Sequence, residues 1–79
     1  MTKPELLRFL VQAGDVDAHE AAEAFGLPYP AAAMALLRLT RQGLVARRLD
    51  PDSGLYWYAL TGKGLDRLVY FQDLNHSAA

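Results

Sequence analysis

The apolar residues of this chain follow a helical period as far as Gln42 and then abandon it, and that switch limits the folds open to it. Thr2-Lys3-Pro4-Glu5 reads as a helix start, with a threonine cap and a glutamate placed to reach back. Leu6, Leu7, Phe9, Leu10 and Val11 supply its apolar stripe, and Gly14 stops it. Asp17 with Glu20 three residues on starts a second, alanine-rich helix over Ala18 to Phe25, ended by Gly26. Its Ala21, Ala22, Phe25 face is small, so a neighbouring helix can come close. Pro28-Tyr29-Pro30 suits a first helical turn, where proline's missing N–H is no loss. The third helix then spans 29–42, with Ala32, Ala35, Leu36 and Leu39 facing the core and Gly43 behind it. From Leu44 to Leu49 the spacing becomes strand-like. Asp50-Pro51-Asp52-Ser53-Gly54 is a turn, and the aromatic-rich Leu55 to Leu60 is the return strand of a hairpin. Thr61 caps a last helix reaching Phe71 or Asp73. The expected class is therefore mainly α with a small β-hairpin (α+β): a three-helix core, a two-stranded hairpin and a C-terminal helix.

At 79 residues there is room for one core, so a single domain over 1–74 and a loose tail over 75–79 are expected. A hydrophobic fraction of 52% against 22% charged residues is a folding composition. Cysteine is absent, which excludes a disulfide framework and any thiolate chemistry and leaves the core, or oligomerisation, to hold the domain. No apolar stretch approaches bilayer length and the N-terminus lacks a signal-like apolar run, so no membrane partner and a cytoplasmic location are expected.

Catalytic chemistry is poorly supplied. Ser53, Ser77, Thr2, Thr40 and Thr61 have no histidine at a predictable distance, and His19 and His76 are far apart. No catalytic residue, no metal and no cofactor are expected, and the protein reads as a non-enzyme. His19 and Glu23 have one-turn spacing that a metal could use, but a solvated helix face is the commoner reason for such a pair. Trp57 is either a ligand platform or, more commonly, a partly buried hairpin residue.

The helix–Gly26-Leu27–helix arrangement followed by a hairpin resembles a winged helix-turn-helix domain. Two blocks sharpen the likeness. Leu27 to Val45, closing on Gly43-Leu44-Val45, resembles a recognition-helix block. Tyr58-Ala59-Leu60-Thr61-Gly62-Lys63-Gly64 resembles the Tyr-x-Leu-Thr-x-x-Gly signature that follows the wing in MarR-like and PadR-like regulators. The likeness covers roughly residues 4 to 72. It implies a DNA-binding transcriptional regulator with helix 29–42 and wing 44–60 on double-stranded DNA, Tyr58 and Leu60 closing over the third helix, and a homodimer built through terminal helices.

Charge agrees with that surface. Residues 26–49 hold Arg38, Arg41, Arg47 and Arg48 and no acid, whereas the flanking segments are net acidic. Carried over from the family, the outward positions of the recognition helix are Tyr29, Pro30, Ala33, Met34 and Leu37, of which only the tyrosine can hydrogen-bond a base. Pro28 stands where relatives often have a Ser or Thr cap, and Asp50 and Asp52 where many carry an arginine. The DNA-contacting set is then Tyr29, Pro30, Ala33, Met34, Leu37, Arg38, Arg41, Arg47 and Arg48. The alternative is a winged-helix module that binds a protein through an apolar face of Tyr29, Met34 and Leu37, and exposure of Met34 and Leu37 separates these readings from one in which the helix is rotated and they are core. The last helix carries Leu65, Leu68, Val69, Tyr70 and Phe71, more apolar surface than one contact face needs, and Tyr70 and Phe71 are the expected dimer contacts.

Overall fold

The computed structural model describes residues 1–78. Six elements follow in order: α1 (Lys3–Ala13), α2 (Ala18–Phe25), α3 (Tyr29–Arg41), β1 (Val45–Leu49), β2 (Tyr56–Leu60) and α4 (Gly62–Ala78). The first two helices start where their caps require. Thr2 accepts from the Glu5 N–H, and its hydroxyl donates to the Glu5 carboxylate. Asp17 and Glu20 form the reciprocal box, each carboxylate accepting the other residue's backbone N–H. Gly26 stops α2 in the left-handed conformation at φ +64°, where a Cβ is disfavoured. α4 runs to Ala78, past the expected end near Phe71 or Asp73.

The core is one cluster drawn from every element. Leu6, Leu7 and Leu10 of α1, Leu36 and Leu39 of α3, and Leu68 of α4 supply its bulk. Ala21 and Ala32 are fully buried where α2 meets α3, and the absence of larger side chains there sets how closely the two helices cross.

The hairpin is antiparallel, with Val45 opposite Leu60 and Leu49 opposite Tyr56. Val16 adds a single-residue bridge on the far edge of β2: its N–H donates to the Tyr58 carbonyl, and the Tyr58 N–H donates back. The α1–α2 connection is thereby tied to the wing, which the sequence reading did not anticipate. A β-branched residue between Gly14-Asp15 and the Asp17 cap was the available sign. Besides β1, β2 packs chiefly against α1, and it is β1 that lies beside α3, while Tyr58 lines a small cavity with Ala18, His19 and Tyr29.

The start of α4 is latched to the end of α3. The Thr61 hydroxyl donates to the Gly43 carbonyl at 2.7 Å and accepts from the Gly64 N–H, and the Lys63 ammonium donates to the Gln42 carbonyl at 3.0 Å. Lys63 therefore satisfies a carbonyl at a helix C-terminus, where a cation is also favoured by the helix dipole.

Candidate nucleic-acid interface

Helical geometry sorts the α3 side chains. Ala32, Leu36 and Leu39 are buried, and the opposite line runs Pro30, Met34, Leu37, Arg38 and Arg41. Met34 is 46% exposed, so the helix is not rotated into the core at this point. Leu37 is half-buried. Ala33 packs against the core and does not share the outward line, because it lies a quarter-turn closer to the buried stripe. Of the apolar face of Tyr29, Met34 and Leu37, the first two are exposed and the third half-buried.

Between Tyr29 and Leu37, Tyr29 is the one residue with a hydrogen-bonding side chain. Its ring stacks on His19 from α2, centroid to centroid 4.3 Å with a 32° tilt. The pair lies beside a small cavity of about 60 Å³ that Tyr56 and Tyr58 of the wing also line, so α2, α3 and β2 meet there. His19, expected on a solvated face, is exposed yet in contact with α3. The start of α3 is poor in backbone donors. Pro28 caps it without a side-chain hydrogen bond, Pro30 has no N–H, and those of Ala31 and Ala32 go to the Pro28 carbonyl. An anion at this helix start could meet the Tyr29 N–H and little else.

Four exposed arginines flank this apolar line. Arg38 and Arg41 occupy the last turn of α3, where the helix dipole favours cations. Arg47 and Arg48 leave β1 on opposite faces, as successive strand residues must. Arg47 lies over the Tyr56 ring, its guanidinium carbon 4.2 Å from the centroid. Arg48 is opposite Trp57 in the register and donates to Asp15 at 3.2 Å. Both partners of that ion pair are well exposed, so it is worth at most about 1 kcal/mol. Trp57 is half-buried on the wing. Among the described residues, no group of three or more His, Cys, Asp or Glu side chains could hold a metal ion, and no helix is long and apolar enough to cross a membrane.

The acidic wing tip has a structural cause. The Asp50 carboxylate accepts from the Asp52 N–H at 3.1 Å and from the Ser53 hydroxyl at 3.0 Å, while its carbonyl accepts from the Gly54 N–H. Those two carboxylate bonds, in that order, hold the Asp50 carboxyl below its ordinary pKa; desolvation opposes them, and the Trp57 indole and the Arg48 charge add less than either. A depressed carboxylate pKa adds stability that is fully present above the unfolded value of about 3.9 and is lost as pH falls through the lower folded value. The turn should therefore loosen only in that acid range. An NMR titration should show the Asp52 amide moving with a midpoint below that of a free aspartate, and Asp50→Asn should abolish the transition.

Three comparisons bear on this arrangement. The model of the MarR family matches residues 2–54. No curated protein matches the sequence. Among solved structures, MepR from Staphylococcus aureus superposes with a TM-score of 0.84 at 20% identity over 96% of this chain and 57% of its own, in a mutant form bound to an oligodeoxyribonucleotide. YusO from Bacillus subtilis gives 0.78 at 22% identity, covering 84% of this chain and 48% of its own. The PcaV transcriptional regulator from Streptomyces coelicolor, in complex with its natural ligand, gives 0.73 at 31% identity, covering 81% of this chain and 46% of its own. The likeness confirms the winged-helix fold, and the chain spans about half the length of these structures.

Proposed function

Because this chain belongs to the MarR family, we propose that it is a transcriptional regulator that binds double-stranded DNA in the cytoplasm, with α3 in the major groove and the wing along the backbone. One observation carries the reading: the four arginines of 26–49 are all exposed, lie on the outward line of α3 and on β1, and have no acid among them in that segment. In this arrangement Arg38, Arg41, Arg47 and Arg48 meet phosphates, and Tyr29, Pro30, Met34 and Leu37 face base edges. Ala33 drops out of the set, since it faces the core. The MepR complex with an oligodeoxyribonucleotide supports the same use of this fold. The test is anisotropy of a labelled duplex at two salt concentrations. Binding should weaken steeply as salt rises, and no affinity at about 50 mM salt would remove the proposal.

Asp15 competes with phosphate for Arg48 in this scheme. Asp15→Asn should raise DNA affinity several-fold at low salt and steepen the salt dependence, whereas Asp15→Asn in an Arg48→Ala background should change far less. Equal effects in both backgrounds would show that Asp15 acts only through general charge.

Self-association through α4 is part of the same proposal. Leu65, Val69, Tyr70 and Leu74 are exposed, Tyr70 at 56%, while Phe71 is half-buried against the core and offers less surface. Val11 of α1 extends the Leu65 side, the two lining one shallow groove. A symmetric pair would present two α3 helices to successive major-groove faces. Sedimentation should show a dimer at micromolar concentration and a monomer for Leu65→Ser with Val69→Ser. A monomer for the unaltered protein at high micromolar concentration would end the dimer reading.

A further inference from the structure

We infer that α3 selects DNA by the 5-methyl groups of thymine, reading A·T pairs through apolar contact with little direct hydrogen bonding. The inference rests on the DNA-binding reading and names what the same surface recognises. From Pro30 to Leu37 the helix has no side chain able to hydrogen-bond a base edge, and on its outward line stand Pro30, Met34 and Leu37. Ala31, small and exposed, lies beside that line, so it adds little bulk between the helix and the groove floor. The arginines that could reach guanine are confined to the far end of the helix and to the wing, where Arg48 is engaged by Asp15 and Arg47 lies over Tyr56.

Such a face discriminates by the apolar contact it gains. Over either pair it would cover three polar groups, the guanine N7 and O6 with the cytosine amino group or the adenine N7 and amino group with the thymine O4, so that cost is common to both. Over an A·T pair it meets the one apolar group the major groove displays, the thymine methyl. Met34 suits that role because its unbranched, polarisable side chain adapts to a shallow apolar bump. Tyr29 is the exception. Its stack on His19 holds the ring at the edge of the line and leaves one hydroxyl for a polar contact.

The test uses uracil, which keeps every hydrogen-bonding group of thymine and lacks only the methyl. A randomised duplex pool is selected on the full chain, and the enriched duplex is resynthesised with each thymine replaced by uracil. Affinity should fall about fourfold for each methyl contacted, the value of burying one such group. Putting 5-methylcytosine in place of cytosine at the mapped positions should restore part of any loss caused by a T·A to C·G change. Met34→Ala should bring the thymine-to-uracil ratio toward one while leaving the salt slope unchanged. Equal affinity for the thymine and uracil duplexes overturns the inference and leaves DNA binding standing. A ratio that Met34→Ala does not alter also overturns it, since the methyl would then act through duplex stiffness. If no duplex binds at about 50 mM salt, the DNA reading fails, and this inference with it.

Discussion

Gly64→Ala is expected to destabilise the domain by about 3 kcal/mol or more, at or beyond the upper end of overpacking effects. A Cβ at this position would fall on the Leu44 carbonyl and against the Leu60 side chain. The carbonyl cannot swing aside without loss, because it accepts the Thr61 N–H at 3.1 Å. The Gly64 N–H is itself bonded to the Thr61 hydroxyl, so α4 cannot back away without opening the latch to α3. Domains of this size have only about 4–12 kcal/mol of total stability, so the melting temperature should fall by roughly 12–24 °C. Gly62→Ala is the matched control. Nothing lies within 4 Å of a Cβ there and its φ is not positive, so this change should be neutral or stabilising by up to about 1 kcal/mol. Thermal melts of the two variants compared with the unaltered protein decide the matter. Similar melting temperatures for both would mean that the approach of α4 to Leu44 is looser than described.

Alanine at Arg38, Arg41, Arg47 and Arg48 together should abolish DNA binding at moderate salt, with a folded protein remaining. Each arginine that meets a phosphate contributes about 0.9 to the slope of log affinity against log salt, so the full set should remove between about 2.7, with Arg48 held by Asp15, and about 3.6 from it. None of the four side chains is buried, so circular dichroism should be unchanged. The single changes separate their roles. Arg38→Ala and Arg41→Ala should weaken all sequences alike. Arg48→Ala should have the smallest effect, because Asp15 already competes with the phosphates for its charge. An unchanged salt slope in the fourfold variant would place the phosphate contacts elsewhere on the molecule.

Local chemistry made most of the fold readable. Thr2 and Asp17 announce helix starts because a short side-chain oxygen can bond an otherwise unpaired N–H within its own turn. The Asp50–Gly54 turn is equally local, its bonds spanning no more than five residues. The basic segment was legible too, since a run of arginines with no acid is charged whatever the fold. What stayed hidden depends on residues far apart in the chain. Val16 joins the wing because Tyr58, forty-two positions later, presents its backbone to it. Asp15 meets Arg48, and His19 meets Tyr29, only after α2 and the wing have packed beside α3. Ala33 and Phe71 turn inward because packing, not helical period alone, sets the width of a buried stripe. Gly64 shows the division within one residue. As a signature glycine it is visible in the chain, but its necessity comes from the Leu44 carbonyl, which reaches it only when α4 closes against the end of α3.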